Sequence, residues 1–127
     1  MADSRFFHCS KCGKLIELVG GCHGCPTICC GEPMKELTAN TTDAATEKHV
    51  PDVVIEGNTV RVQVGSVMHP MTEAHSIMFV ELVTDKAVHR VNFQPGDTPV
   101  ATFHIEDEKP LKVYEFCNLH GLWVKEL

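Results

Sequence analysis

The sequence predicts an all-β chain in two parts, a small metal-stabilised module followed by an antiparallel sandwich or barrel. Six of the seven cysteines crowd between residues 9 and 30, in a stretch with little apolar sequence to build a core. From residue 50 onward, short apolar runs alternate with turn residues at near-regular spacing, as in a series of short strands. No segment sustains the 3.6-residue apolar period of an amphipathic helix.

In the first part, residues 6–37, Leu15, Ile16, Leu18 and Val19 could not form a self-sufficient core. A unit this small needs a metal or a partner in order to fold. Cys9-Ser10-Lys11-Cys12-Gly13 is a Cys-x-x-Cys knuckle, whose two thiolates can grip one ion while the glycine permits the tight turn. Two second pairs are available. Cys22-His23-Gly24-Cys25 would complete a compact zinc-ribbon-like site. Cys29-Cys30, followed by Gly31, would give a more strained one, because neighbouring side chains point apart. A tetrathiolate suits zinc or iron, and spacing alone does not choose between them. Residues 38–46 are small, polar and without period, and read as a connector.

The strands of the second part follow in order. Val53-Val54-Ile55, the turn Gly57-Asn58, and Val60, Val62 and Val64 alternating with Thr59, Arg61 and Gln63 predict a hairpin. Ser76 to Val83 is apolar almost throughout and predicts a central strand covered on both faces. Thr84-Asp85-Lys86 turns it into a strand over 87–93, and Pro95-Gly96-Asp97 is a strong turn. Residues 100–105, 111–117 and 122–124 supply the last strands.

Composition narrows the function. At 127 residues with 43% hydrophobic and 22% charged side chains, the chain fits one soluble domain plus a small module. A net charge of −6, with both signs interspersed, argues against nucleic acid as a partner. No apolar run reaches the ~18 residues that span a bilayer, and the first residues lack a signal-peptide pattern. A cytoplasmic location is therefore expected, where clustered cysteines read as metal ligands before disulfides.

A second centre is legible near the end. Cys117 and His120 sit three residues apart in Glu115-Phe116-Cys117-Asn118-Leu119-His120-Gly121. His49, His69 and His75 each stand beside a strand-like run, where a sandwich places its binding residues. A nitrogen-rich set with a single thiolate suits iron or copper better than a four-coordinate zinc site. His8, His23, His89 and His104 are read as ordinary surface or satisfied residues.

These motifs together, Cys-x-x-Cys-Gly, Cys-Cys-Gly-Glu-Pro-Met, Glu-Lys-His-Val-Pro, Gly-Ser-Val-Met-His-Pro-Met and Cys-Asn-Leu-His-Gly, resemble the desulfoferrodoxins, the two-iron superoxide reductases. The resemblance runs from Phe7 to Trp123 with the motifs in the family's order. It implies a desulforedoxin-like (rubredoxin-like) module over residues 1–37 and an immunoglobulin-like superoxide reductase sandwich over 38–127. His49, His69, His75 and His120 then match four equatorial imidazoles of a square-pyramidal ferrous centre, with Cys117 as the axial thiolate. Glu47 matches the carboxylate that can occupy the sixth position of the oxidised iron, and Lys48 the cation beside the open face. Cys9, Cys12, Cys29 and Cys30 match the tetrathiolate ligands, for iron with zinc as the alternative. Cys22 and Cys25 depart from the family's pattern, and they could be alternative ligands, a redox-sensitive pair or inert.

The implied activity is one-electron reduction of superoxide to hydrogen peroxide, with electrons from a small carrier such as rubredoxin. A homodimer is expected, because the small module buries little alone. The competing readings are a non-catalytic iron electron carrier, a zinc-stabilised interaction module and a superoxide dismutase.

Overall fold

In the computed structural model, which describes residues 4–21 and 24–127, the chain divides into two units, one ending at Thr38 and the other running from Ala39 to Leu127. The expectations for Cys22 and His23 therefore lie outside the described residues.

In the small unit, β1 (Phe6–His8) lies between β2 (Leu15–Glu17) and β5 (Lys35–Glu36), and both pairings are antiparallel. The hairpin β3 (Ile28–Cys29) and β4 (Glu32–Pro33) stands apart from that sheet. Phe6, Cys9 and Met34 are the buried apolar side chains among the described residues, and Val19 is almost fully exposed. So small a core cannot offset the chain entropy of ordering the unit, which leaves metal cross-linking as the means of holding it.

The larger unit is a sandwich of seven antiparallel strands. β6 (Pro51–Glu56), β7 (Thr59–Val64) and β10 (Val100–His104) form one sheet in the order β10-β7-β6. β8 (Ile77–Thr84), β9 (Val88–Asn92), β11 (Pro110–Cys117) and β12 (Gly121–Glu126) form the other, in the order β12-β11-β8-β9. The 3+4 arrangement is the immunoglobulin-like sandwich expected from the sequence. Alternation explains which side chains meet between the sheets. Val60, Val62 and Val64 of β7 pack with Ile77, Val80 and Leu82 of β8, Ala101 and Phe103 of β10, and Val113 and Cys117 of β11. β8 is buried along its length except at Met78, as its continuous apolar run predicts.

The connector before the sandwich departs from expectation at its end. Residues 46–49 form a single helical turn, α1 (Thr46–His49), with no side-chain cap. Four residues are too few to show a helical period, so no pattern in the sequence marks it.

Antiparallel pairing brings particular strand ends together. Pro51, at the start of β6, pairs with Val64 at the end of β7. Cys117, at the end of β11, pairs with Ile77 at the start of β8 and with Gly121 at the start of β12. Between Phe116 and Cys117 the β8–β11 register slips by a residue. Such a bulge re-aims the side chain that follows it. Gly121 adopts φ +79, a left-handed conformation natural only for glycine, and so closes the short turn that carries His120.

Candidate metal centre

His49, His69, His75 and His120 are each delivered by the end of an element or by a loop. His49 ends α1 and precedes β6. His69 follows β7, and its N–H donates to the Val64 carbonyl at 2.8 Å. His75 closes a turn in which its N–H faces the Thr72 hydroxyl and carbonyl oxygens at 3.1 and 3.2 Å. Cys117 and His120 flank the β11–β12 turn. Asn118 ties that turn to the His75 loop: its Oδ1 accepts from the Ser76 N–H and its Nδ2 donates to the Ala74 carbonyl, both at 3.0 Å.

The four imidazoles stand at the corners of a square. Successive ring centroids, His49–His69, His69–His75, His75–His120 and His120–His49, lie 4.7, 4.6, 4.9 and 4.8 Å apart, with interplanar angles from 76° to 87°. His49 and His75 face each other across a 6.4 Å diagonal. The ligand atoms of these rings and the Cys117 sulfur all lie within 4.8 Å of one another.

The hydrogen bonds around the rings show that this arrangement fits a cation. His49 Nδ1 is 2.7 Å from the Ala45 carbonyl and His69 Nδ1 is 2.6 Å from the Pro70 carbonyl. A carbonyl only accepts, so both Nδ1 atoms carry the proton and both Nε2 atoms present lone pairs. Yet those two Nε2 atoms approach to 3.2 Å, and His120 Nδ1 comes within 3.1 Å of His49 Nε2. Neutral rings in these tautomers cannot hydrogen-bond across the His49–His69 gap. His75 Nε2 is buried with no hydrogen-bond partner. Converging lone pairs are what a metal ion would satisfy. The geometry assigns Nε2 of His49, His69 and His75, and Nδ1 of His120, as the donor atoms. The carbonyl partners of His49 and His69 are the outer-shell contacts that fix ligand rings.

Burial sets the protonation states. Desolvation lowers the His49 and His75 rings and brings His69 down to about 4, so these rings stay neutral and ready to ligate at neutral pH. Burial pushes the Cys117 thiol up, although the Leu119 and His120 N–H groups favour its thiolate. The metal-free site therefore holds a proton on sulfur that an incoming ion must release. With the tetrathiolate site already loaded, cobalt affinity at the histidine site should rise roughly tenfold per pH unit between about 6.5 and 8.5. Competition with a chelator measures that slope, and a flat profile would mean that Cys117 is already ionised in the free protein.

Two contributors to the site carry no motif in the sequence. The Trp123 indole stacks on His49 at 5.0 Å and 24°, and its Nε1 donates to the His120 carbonyl at 3.1 Å. Glu115 is fully buried beside the Val80 and Trp123 positions, and neither carboxylate oxygen has a partner. Burial raises its pKa well above the usual range and favours the neutral acid. Strand alternation is the signal that could have found it, since Val113, Glu115 and Cys117 share one face of β11.

Glu47 and Lys48 are exposed on α1, directly before the His49 ligand. The Lys48 charge acts on both His75 and His49, and the Glu47 charge acts on His49 with the opposite sign.

In the small unit the sulfurs of Cys9, Cys12, Cys29 and Cys30 cluster within the same 4.8 Å limit. Cys12 and Cys29 approach to 3.6 Å and Cys29 and Cys30 to 4.0 Å. A tetrahedron with metal–sulfur bonds of about 2.3 Å has edges of about 3.8 Å, so the set fits a zinc or iron tetrathiolate. Adjacent cysteines converge because Cys30 takes φ +51, a left-handed conformation unusual for a side-chain-bearing residue. The Cys12 and Lys11 N–H groups hold the Cys9 thiol down at about 6, whereas its thiol neighbours, Cys12 foremost, push Cys29 up to about 12. Cys25 is outside this cluster and is disulfide-bonded.

Comparisons with known proteins place the chain among recognised relatives. A family profile described as Desulfoferrodoxin matches residues 41–126. The chain is 46% identical over 120 residues to a desulfoferrodoxin from Syntrophotalea carbinolica, covering 94% of each chain. Among solved structures, the superoxide reductase from Treponema pallidum superposes with a TM-score of 0.82 at 36% identity, covering 98% of this chain and 100% of that one. A one-iron superoxide reductase from Giardia intestinalis matches with a TM-score of 0.54 at 37% identity, over 64% of this chain and 99% of its own.

Proposed function

The chain belongs to the desulfoferrodoxin family, and from that premise we propose that it is a superoxide reductase, forming hydrogen peroxide at the four-histidine, one-cysteine centre. The observation that carries this reading is the square of imidazoles whose lone pairs converge with the buried Cys117 sulfur. These five residues would hold a ferrous ion, which would supply one electron; superoxide with one electron and two protons gives hydrogen peroxide.

The protein's residues supply everything else. Four neutral imidazoles leave only the single negative charge of Cys117 in the ligand set, so a bound divalent ion keeps a net positive charge that attracts an anion. Cys117 would hold the ion through its thiolate, which would donate electron density to it. Lys48 adds a positive charge close to His75 and His49, where it draws superoxide in and can orient a proton-bearing water. Glu47, exposed directly before His49, would offer its carboxylate to the oxidised ion.

The assignment of roles follows the division of the chain. Residues 38–127 hold the reaction, and residues 1–37 hold a tetrathiolate site, where iron would store or relay electrons and zinc, the alternative, would be structural. A rubredoxin-like carrier is the electron donor, and the small core of the first module favours a homodimer. Five free cysteines among the described residues stand in two ligand sets, as a reducing, cytoplasmic setting favours, with the disulfide at Cys25 as the exception. Among the described residues no helix is long and apolar enough to cross a membrane.

The deciding experiment is stoichiometric. With a reduced donor present, roughly one peroxide should form per superoxide while donor is oxidised; half that yield with no donor consumed would make the protein a dismutase instead.

A further inference from the structure

Where the loop after β7 crosses α1, two backbones touch. A Cβ built on Gly65 would lie 2.4 Å from the Glu47 carbonyl oxygen, 2.8 Å from the Lys48 carbonyl carbon and 3.0 Å from that of Glu47. All three are backbone atoms, so none can swing aside as a side-chain tip would. Gly65 has no left-handed φ, so space is the reason for glycine here, and conformational freedom is not.

The same crossing is fastened by hydrogen bonds. The Glu47 carbonyl accepts from the Val67 N–H at 2.9 Å and from the Ser66 hydroxyl at 3.3 Å. Gln63 Nε2 donates to the Gly65 carbonyl at 3.0 Å and holds the other side of the crossing. Gly65 therefore cannot retreat without breaking a bond. Four residues further on, the same loop delivers His69, while α1 delivers His49. The backbone that meets Gly65 belongs to Glu47 and Lys48, the two exposed charged residues directly before His49.

We propose that Gly65 is a positioning residue for superoxide reduction: by letting the loop backbone press on the Glu47 and Lys48 peptides, it sets where those two charges stand relative to the four-histidine centre. This rests on the functional reading above. A methyl group at 65 drives the Glu47 carbonyl back by more than half an ångström. Lys48 and Glu47 move with it, while His49 stays tethered through its ring to Ala45 and stacked on Trp123.

The test uses full-length, iron-loaded protein and compares Gly65→Ala with wild type. The rate of superoxide reaction per bound iron should fall about tenfold, since displacements on the ångström scale cost one to two orders of magnitude. The peptide containing Val67 should exchange its amide hydrogen faster by a similar factor, which a change in activity alone would not produce. In a Lys48→Ala background the same substitution should cost little more, because it acts through a charge already removed.

Full additivity of the two substitutions, or wild-type rate and exchange in Gly65→Ala, would overturn the assignment. So would loss of iron from the histidine centre alone, which would make Gly65 a keeper of ligands. If Gly65→Ala does not fold, Ser66→Ala decides: it deletes one donor to the Glu47 carbonyl and should lower the rate about twofold with faster Val67 exchange, and no change in either defeats the proposal. An inactive wild type would instead defeat the functional reading, and the exchange measurement would still report on the crossing.

Discussion

Cys117→Ser abolishes the sulfur-to-iron absorption band of the oxidised histidine centre and lowers superoxide reduction by at least about a hundredfold, more than the usual 10- to 100-fold for losing an outer-shell partner of a ligand. The tetrathiolate absorption is untouched and serves as an internal standard. The reason lies in where the sulfur sits. Cys117 is fully buried at the end of β11, and the bulge after Phe116 turns it toward the centre, with its sulfur 3.9 Å from His120 Nδ1. A serine oxygen is smaller, stays protonated and donates far less charge to a metal. The buried hydroxyl would also sit where the protein offers the Leu119 and His120 N–H groups, donors that suit an anion. Survival of the band in Cys117→Ser would remove Cys117 from the ligand set.

Much of this centre is legible in the sequence alone, for a physical reason. Metal ligands need particular side chains, and a Cys-x-x-His pair in the last turn, with histidines beside strand-like runs, is rare by chance. The strands are equally legible, because Val60, Val62 and Val64 alternate with polar neighbours and Gly57-Asn58 marks the turn between β6 and β7. What stays hidden depends on space and not on residue type. Strand alternation puts Glu115 on the same face of β11 as Val113, but only the folded sandwich shows that its carboxyl is enclosed without a partner. α1 has four residues and no cap, too little for a periodic signal. Cys29 and Cys30 are one of two candidate pairs in the sequence, since whether neighbours can share an ion turns on the φ of Cys30, which composition does not encode. Gly65 reads as the end of a strand, and its contact with the Glu47 backbone exists only because two segments distant in the chain cross there.

Lys48→Ala should slow the reaction with superoxide about tenfold at low ionic strength while leaving the iron content of both sites unchanged. The whole protein carries a net charge of −6, so an approaching anion is repelled on average. Attraction must therefore be local. The Lys48 charge is close enough to the centre to act on His75 and His49, and it stands beside Glu47, whose negative charge it offsets along the last approach. Removing it leaves Glu47 unopposed, so the substitution both deletes an attraction and exposes a repulsion. Steering by a few local charges changes encounter rates by about 10- to 1,000-fold, and a single lysine belongs at the lower end. Screening supplies the check. At 0.1 M salt the Debye length is about 10 Å and at 1 M about 3 Å, so the wild-type rate should fall with salt and converge on that of the variant. Lys48→Arg keeps the charge and should recover most of the rate. If Lys48→Ala follows the same salt dependence as wild type, Lys48 does not steer the substrate, and any remaining loss belongs to proton delivery.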